Sequence, residues 1–334
     1  LYNLNIKNER RVIMLKKKMM TLAATVVIGA MSLVGCSNDK EVSVTKDDEV
    51  KITMILDEGG VNDQSFNQSS WEGALRAKEE YGVDVNYIES KQESDYETNI
   101  ETAIDNGSDL VIGVGFKLTD AIKVAAENYP EQQFAIIDGT YDEIPSNLQP
   151  ILFNEEQAGY SVGLIAGKMT TTNKIGFIGG MDIPSVTNFL IGFEKGAKEV
   201  NPEIEVLSQY ANSFTDAAKG KAIAQQMIQQ NADIIFTAGG GVNNGAWEAC
   251  TESNIKAIGV DMPSNQFLPN TIITSALKNV GTGVELTIKD LVERKFVGGS
   301  EMVYDLSNGG VGYEDTEHLT DEIRQFVEEK ISNK

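Results

Sequence analysis

From Val50 onward, short apolar runs alternate with amphipathic segments. The runs at 52–56, 83–88, 110–114, 134–137 and 151–153 have the length and β-branched content of buried strands. Between them, segments near 67–81, 95–105, 119–129 and 155–169 repeat apolar residues at helical spacing. Ser94 with Glu97 forms a capping box for the second of these, whose apolar face is Ile100, Ala103 and Ile104, and Pro130 closes the third. The same alternation returns as strands at 175–178, 204–209, 234–237, 257–260 and 272–274, with helices at 186–200, 216–231 and 243–254. A long helical pattern at 279–295 and a last strand at 302–305 follow. Alternation of this kind predicts an α/β fold of two doubly wound parallel-sheet lobes, each sheet covered on both faces. The closing elements are too few for a third domain, so the chain is expected to return to the first lobe and cross again. The predicted division is 50–153 plus about 277–300 for lobe 1, and 154–276 plus about 301–334 for lobe 2.

The most informative stretch follows the first strand, from Asp57 through Gly59, Gly60, Asn62, Asp63, Phe66 and Asn67 to Trp71 and Gly73. It reads as strand, polar loop and helix start, which in an open α/β sheet is where small ligands bind. Trp71, Ala74, Leu75 and Lys78 fall on one stripe of the helix that follows. The glycines permit tight turns, and Asn62, Asp63 and Asn67 supply donors and acceptors. Phe66 either plugs the top of the core or presents a flat face to a planar ligand, and residue type alone favours the plug. Further polar loops follow other strands at 113–117, 138–140, 179–189, 239–244, 261–265 and 275–279. Two lobes that set such loops face to face would form a cleft closing about a hinge.

Asp138 and Asp261 each follow an apolar strand directly. Acids there often cap helices, but they can also accept hydrogen bonds from hydroxyls or ring nitrogens. Lys278 follows the 272–274 strand and is either solvated surface or a donor to a ribose or carboxylate oxygen. Phe189 stands early in a helix beside Leu190, Ile191 and Phe193, so core packing competes with a ligand role. The run Gly239-Gly240-Gly241 invites a dinucleotide reading, but G-x-G-x-x-G from Gly239 would need glycine where Asn244 stands. No Gly-Lys-Ser/Thr phosphate loop is present either, and no cofactor is expected.

The amino-terminal part differs from the rest. Lys16, Lys17 and Lys18 precede an apolar run at 19–34, and Leu33-Val34-Gly35-Cys36 closes it. A basic start, a short apolar middle and small residues before the cut describe an export signal over residues 1–35 better than a single anchoring helix. The ending has the form of a bacterial lipobox, which makes Cys36 the expected lipidated residue, and Met14 is an expected alternative start. Residues 36–49 then form a polar tether. Six of the 28 basic and one of the 50 acidic residues lie in 1–35, which leaves 22 basic and 49 acidic and a formal charge of −27. That balance, like the −22 of the whole chain, argues against binding to nucleic acid through a basic surface. Cys36 and Cys250 are the two cysteines and His318 the one histidine, near the carboxyl end, which excludes a cysteine-based zinc site and argues strongly against a two-histidine metal site or a Ser-His-Asp triad. His318 is expected on the surface.

Taken together, the lipobox, the Gly59–Gln68 loop with Trp71-Glu72-Gly73, the strand end Phe177-Ile178-Gly179-Gly180-Met181 and Gly259-Val260-Asp261 resemble the basic membrane protein family. Its members are substrate-binding lipoproteins of bacterial ABC transporters, among them purine nucleoside receptors. The resemblance runs from about Val50 to Met302. It implies a type I periplasmic-binding-protein fold closing over a nucleoside, with no catalysis, no metal and a monomeric state. It also implies a lipid anchor in the bilayer, an extracytoplasmic location at the cell membrane and a permease partner. By position in the family pattern, Phe66 and Phe189 would sandwich the base, and Asn62, Asp63, Asn67 and Asp138 would bond its edge. Asp261, Lys278 and the Gly240 backbone would hold the ribose. The chain departs from many relatives at Thr187 and Asn188, where they carry basic residues. Beside the nucleoside reading stand a receptor for a sugar or another small polar ligand, a surface sensor of the same fold, and a nucleoside-cleaving enzyme. The lone histidine, the failed dinucleotide spacing and the lipobox argue against the enzyme.

Overall fold

A computed structural model of the chain describes residues 49–332, so the expected signal segment, Cys36 and nearly all of the tether lie outside the described residues. Strands β1 (Lys51–Leu56), β2 (Asp84–Glu89), β3 (Leu110–Val114), β4 (Gln133–Ile137), β5 (Leu148–Phe153) and β11 (Met302–Tyr304) make one sheet, ordered β11-β5-β4-β3-β1-β2. Strands β6 (Lys174–Gly179), β7 (Glu205–Tyr210), β8 (Ile234–Ala238), β9 (Lys256–Asp261), β10 (Ile272–Lys278) and β12 (Val311–Tyr313) make a second, ordered β12-β10-β9-β8-β6-β7. Neighbours are parallel except β12, which runs antiparallel to β10. The two orders match strand for strand, so β1, β3 and β4 correspond to β6, β8 and β9.

Helices α1 (Phe66–Tyr81), α2 (Tyr96–Asp105), α3 (Thr119–Asn128) and α8 (Val280–Val292) belong with the first sheet. Helices α4 (Glu155–Met169), α5 (Pro184–Val200), α6 (Ala217–Gln229), α7 (Val242–Glu252) and α9 (Asp321–Ile331) belong with the second. Because helices cover both faces, the central strands β3 and β8 are buried at every position, whereas edge strands β2 and β7 are partly exposed. Among the described residues no helix is long and apolar enough to cross a membrane.

The structure differs from the expected elements in several places. The strand at 302–305 joins the first sheet as β11, with Met302 opposite Ile151, although residues beyond about 301 were expected with the second lobe. Strand β12 and helix α9 were not anticipated, because a three-residue strand in Val311-Gly312-Tyr313 carries too little pattern to read. The capping box at Ser94 does not form. Ser94 lies inside a 3-10 turn, Glu93–Asp95, and the Asp95 carboxylate turns back to accept from the Lys91 backbone N–H at 3.0 Å. On α1 the buried face is Asn67, Ser70, Gly73, Ala74 and Ala77, and Leu75 is 40% exposed. Helix α8 crosses so close that only small residues fit between them. His318 is partly exposed, with its Nε2 2.6 Å from the Pro269 carbonyl oxygen.

The chain passes between the sheets after Phe153, after Lys278 and between β11 and β12. These connections bond to one another: Asn154 N–H donates to the Tyr304 carbonyl at 2.8 Å, Asn279 N–H to Gly310 at 2.9 Å, and Leu306 N–H to Gln157 Oε1 at 2.8 Å. Beside them, α4 and α5 pack backbone to backbone. A side chain at Gly159 would overlap the Phe189 carbonyl, and one at Gly192 would overlap the Glu156 carbonyl. Glycine is therefore required there by close approach.

Gly192→Val is expected to destabilise the protein by about 3 kcal/mol in urea titration, because β-branched bulk must push α5 off α4. A change within about 0.5 kcal/mol would mean that the close approach does not hold the helices together.

Candidate ligand-binding cleft

Loops at the carboxyl ends of strands from both sheets enclose a cleft of about 640 Å³, open mouth included. Eight of the nine expected residues border it: Asp63, Phe66, Asn67, Asp138, Phe189, Gly240, Asp261 and Lys278. Asn62 does not. The neighbouring Val61 is buried and donates its N–H to Glu89 Oε1 at 2.8 Å, which turns the exposed Asn62 outward.

Asp63 serves the helix as well as the cleft. Its carboxylate accepts the backbone N–H groups of Ser65 (2.9 Å), Asn67 (2.9 Å) and Gln68 (3.0 Å), three donors that the start of α1 would otherwise leave unpaired. Asn67 donates through Nδ2 to Asp57 Oδ1 at 2.8 Å, and Gly59 N–H shares the same oxygen at 3.0 Å. Burial holds both Asp57 and Asp63 above the usual carboxylate value, although these hydrogen bonds pull the other way.

Asp138 and Asp261 occupy corresponding places after β4 and at the end of β9. Both adopt left-handed backbone, φ 63° and 65°, which Asp tolerates better than most residues. Neither caps a helix. Asp261 accepts from the Ser65 hydroxyl, a direct bond between the lobes. Asp138 reaches Lys278, whose ammonium lies 2.5 Å from Asp138 Oδ2 and 2.8 Å from Glu155 Oε1. Lys278 is 2% exposed, and its Nζ sits 5.3 Å from the ring centres of Phe66 and Phe153. With two of its three N–H donors on carboxylates, one remains for anything else.

Burial pushes Asp138 up to about 6 and Asp261 up to about 7, and the ammonium of Lys278 only partly offsets it. Burial alone would lower Lys278, but the carboxylates of Asp138, Glu155 and Asp261 outweigh it and hold the ammonium above the ordinary lysine value. Two buried oxygens bordering this space, Asn67 Oδ1 and Asp138 Oδ1, have no hydrogen-bond partner.

The apolar part of the wall is aromatic. Phe66 is half-buried, while Phe189 is 2% exposed and also packs edge-on against Phe236, with centroids 5.9 Å apart. Phe189 is thus both core and cleft wall. Two further rings were missed in the sequence. Phe116 follows β3 and Phe214 follows β7, and they meet across the two lobes at 6.4 Å, edge to face. Phe116 lay within a loop already read as ligand-facing, and Phe214 sits in Asn212-Ser213-Phe214-Thr215-Asp216, the same signature of an aromatic among polar residues after a strand. Glu155 was missed too, because it reads as an ordinary acid in the first turn of α4.

Gly240 turns with φ 57° beneath Phe214. Neither Cys250 nor His318 borders the cleft, and burial pushes the Cys250 thiol up to about 12, far from a nucleophile at neutral pH. Among the described residues no group of three or more His, Cys, Asp or Glu is placed to hold a metal ion.

Comparison with known proteins agrees with this architecture. The profile of the family described as ABC transporter substrate-binding protein PnrA-like matches residues 50–334. The chain is 36% identical to the ABC transporter nucleoside-binding protein BmpA of Lactococcus lactis, over 94% of this chain and 95% of that one. It is 37% identical to basic membrane protein A of Borreliella burgdorferi, over 79% of this chain and 78% of the relative. Among solved structures, a solute-binding protein of an ABC transporter system from Aeropyrum pernix superposes with a TM-score of 0.76 at 31% identity, covering 85% of this chain and 86% of that one. These relatives are substrate-binding proteins rather than enzymes, and proteins of this class work outside the cytoplasm with a membrane permease as partner. The chain belongs to the PnrA-like basic membrane protein family of ABC transporter substrate-binding proteins.

Proposed function

We propose that the cleft captures purine nucleosides (guanosine, adenosine or inosine) for uptake, and that a lipid on Cys36 tethers the protein to the outer face of the cell membrane. The observation that carries this reading is the wall itself: four phenyl rings, two from each lobe, beside buried polar atoms that lack partners. A flat heterocycle fits between rings, each stacking contributing roughly 0.5–1.5 kcal/mol beyond area burial. Orphaned oxygens accept from ring or hydroxyl donors, and leaving each unpaired costs about 1–3 kcal/mol. Asp57, Asp63, Asp138 and Asp261 border the cleft against the single ammonium of Lys278, which is already paired. That balance favours an uncharged nucleoside over its phosphate. The nucleoside-binding name of the lactococcal relative supports the same ligand class.

Purified protein stripped of carried-over ligand is expected to bind at least one purine nucleoside with a dissociation constant of about 1 μM or tighter, read by calorimetry. No heat with any of the three contradicts the proposal. Phe66→Ala is expected to weaken binding roughly tenfold or more while ligand-free stability stays within about 1 kcal/mol, because the ring is only half-buried. Phe189→Ala is expected to lose about 3 kcal/mol of stability as well, since that ring also fills the core. Equal stability losses from the two substitutions would return Phe66 to the role of core plug.

Asp138 and Asp261, at about 6 and 7, keep their protons to higher pH in the folded protein than the ordinary value of 3.8. Between about pH 4 and pH 7 the folded state therefore binds more protons than the unfolded one, and these two acids make stability fall as pH rises. Urea titrations of the ligand-free protein and of Asp261→Asn should show the variant gaining on the parent across that window. A difference that stays constant from pH 4 to pH 7 contradicts the raised Asp261.

A further inference from the structure

Glu155 does not border the cleft, yet it is the acid most firmly built into its charge cluster. It is the first residue of α4, at the positive end of a helix, where a carboxylate is favoured. Its Oε1 lies 2.8 Å from Lys278 Nζ, and its Oε2 accepts from Asn188 Nδ2 at 3.3 Å. Asn188 immediately precedes Phe189 on α5, and α5 is locked to α4 by the glycine contacts. Glu155 is thereby tied to the helix that carries a cleft ring. Asp138 differs. It sits in a loop after β4, one oxygen on Lys278 and the other buried, partnerless and beside the cleft.

We propose that Glu155 is a positioning residue: it is the standing counter-ion of Lys278, so that Asp138 keeps one carboxylate oxygen for the ligand. Without Glu155, Asp138 would be the one carboxylate in direct contact with the buried ammonium, and the donor that Glu155 now takes would compete with a ligand for the second Asp138 oxygen. With Glu155 in place the lysine has a second carboxylate on the hinge side, so Asp138 holds it through Oδ2 alone and Oδ1 stays unpaired. The charged groups facing Asp138 are Lys278 from β10, Glu155 from α4 and Asp261 from β9, with Asp63 beyond Asp261. Burial and the like charge of Glu155 both push Asp138 up, and Lys278 pulls it down. Removing Glu155 leaves the pull and takes away part of the push.

The test is carbon-13 NMR of the carboxyl groups in ligand-free protein, with Asp138→Asn assigning the signal. The parent is expected to titrate at Asp138 near pH 6, and Glu155→Gln to bring the midpoint down by about one unit. Glu156→Gln, which alters an exposed pair with Lys195 on the same helix turn, should leave it in place. Inosine affinity at pH 7.5 is expected to fall about tenfold in Glu155→Gln. An unchanged or higher Asp138 midpoint in Glu155→Gln overturns the proposal, even if stability and affinity both drop, because a purely structural role would act on those alone. Should Glu155→Gln not fold, a crystal structure of the parent with inosine decides. Lys278 still on Glu155 with Asp138 Oδ1 on the ligand supports the assignment, and Lys278 leaving Glu155 for the ligand overturns it. The proposal rests on the nucleoside reading only for the identity of the ligand. Absence of nucleoside binding in the parent would end that reading, while the NMR midpoint would still decide the role of Glu155.

Discussion

A single ammonium, that of Lys278, is buried at the meeting point of the two lobes. Desolvating such a charge costs several kcal/mol unless carboxylates surround it with good geometry. Those carboxylates come from three places in the chain: Asp138 after β4, Glu155 at the first crossover and, at longer range, Asp261 at the end of β9. Lys278 itself is the last residue of β10, where the chain crosses back. Satisfying one lysine thus fixes the first lobe, the second lobe and the crossovers relative to one another. The hydrogen bonds that tie Asn154 to Tyr304 and Asn279 to Gly310 brace the same region.

The consequences spread outward from that cluster. Burial, helped by the like charge of neighbouring acids, pushes Asp138 and Asp261 toward their neutral forms, and with Lys278 already paired the cleft is a poor place for an anion. Because Lys278 stands against the faces of Phe66 and Phe153, the charge cluster and the aromatic wall form one continuous surface. Asn188 carries the linkage from Glu155 to the turn of α5 that bears Phe189. Charge and aromatic stacking, which look like separate features in the sequence, are parts of one packed unit.

Much of this was legible in the chain. The alternation of apolar runs and amphipathic segments announced two parallel sheets, since buried strands and covering helices impose those patterns locally. Loops rich in glycine and polar residues after strands pointed to the right ends of the sheets, and eight of the nine expected residues stand around one space. What could not be read was pairing over distance. Lys278 and Asp138 are 140 residues apart and Ser65 and Asp261 are 196 apart, and nothing local in either pair announces its partner. Asn62 was misplaced because its outward turn depends on Val61 bonding to Glu89 on the neighbouring strand. Phe116 and Phe214 carry the same local signal as Phe66, an aromatic within a polar loop after a strand. The α1 stripe was misjudged because a face of Asn, Ser, Gly and Ala looks polar until another helix is known to press against it.

Mass spectrometry of the small molecule released when protein purified from cells under native conditions is denatured reads directly what the cleft holds. A cleft built from four phenyl rings, partnerless buried acceptors and a surplus of carboxylates should release an uncharged purine nucleoside. Release of a sugar, or of a phosphorylated compound in stoichiometric amount, would contradict the account of what those rings and charges are for.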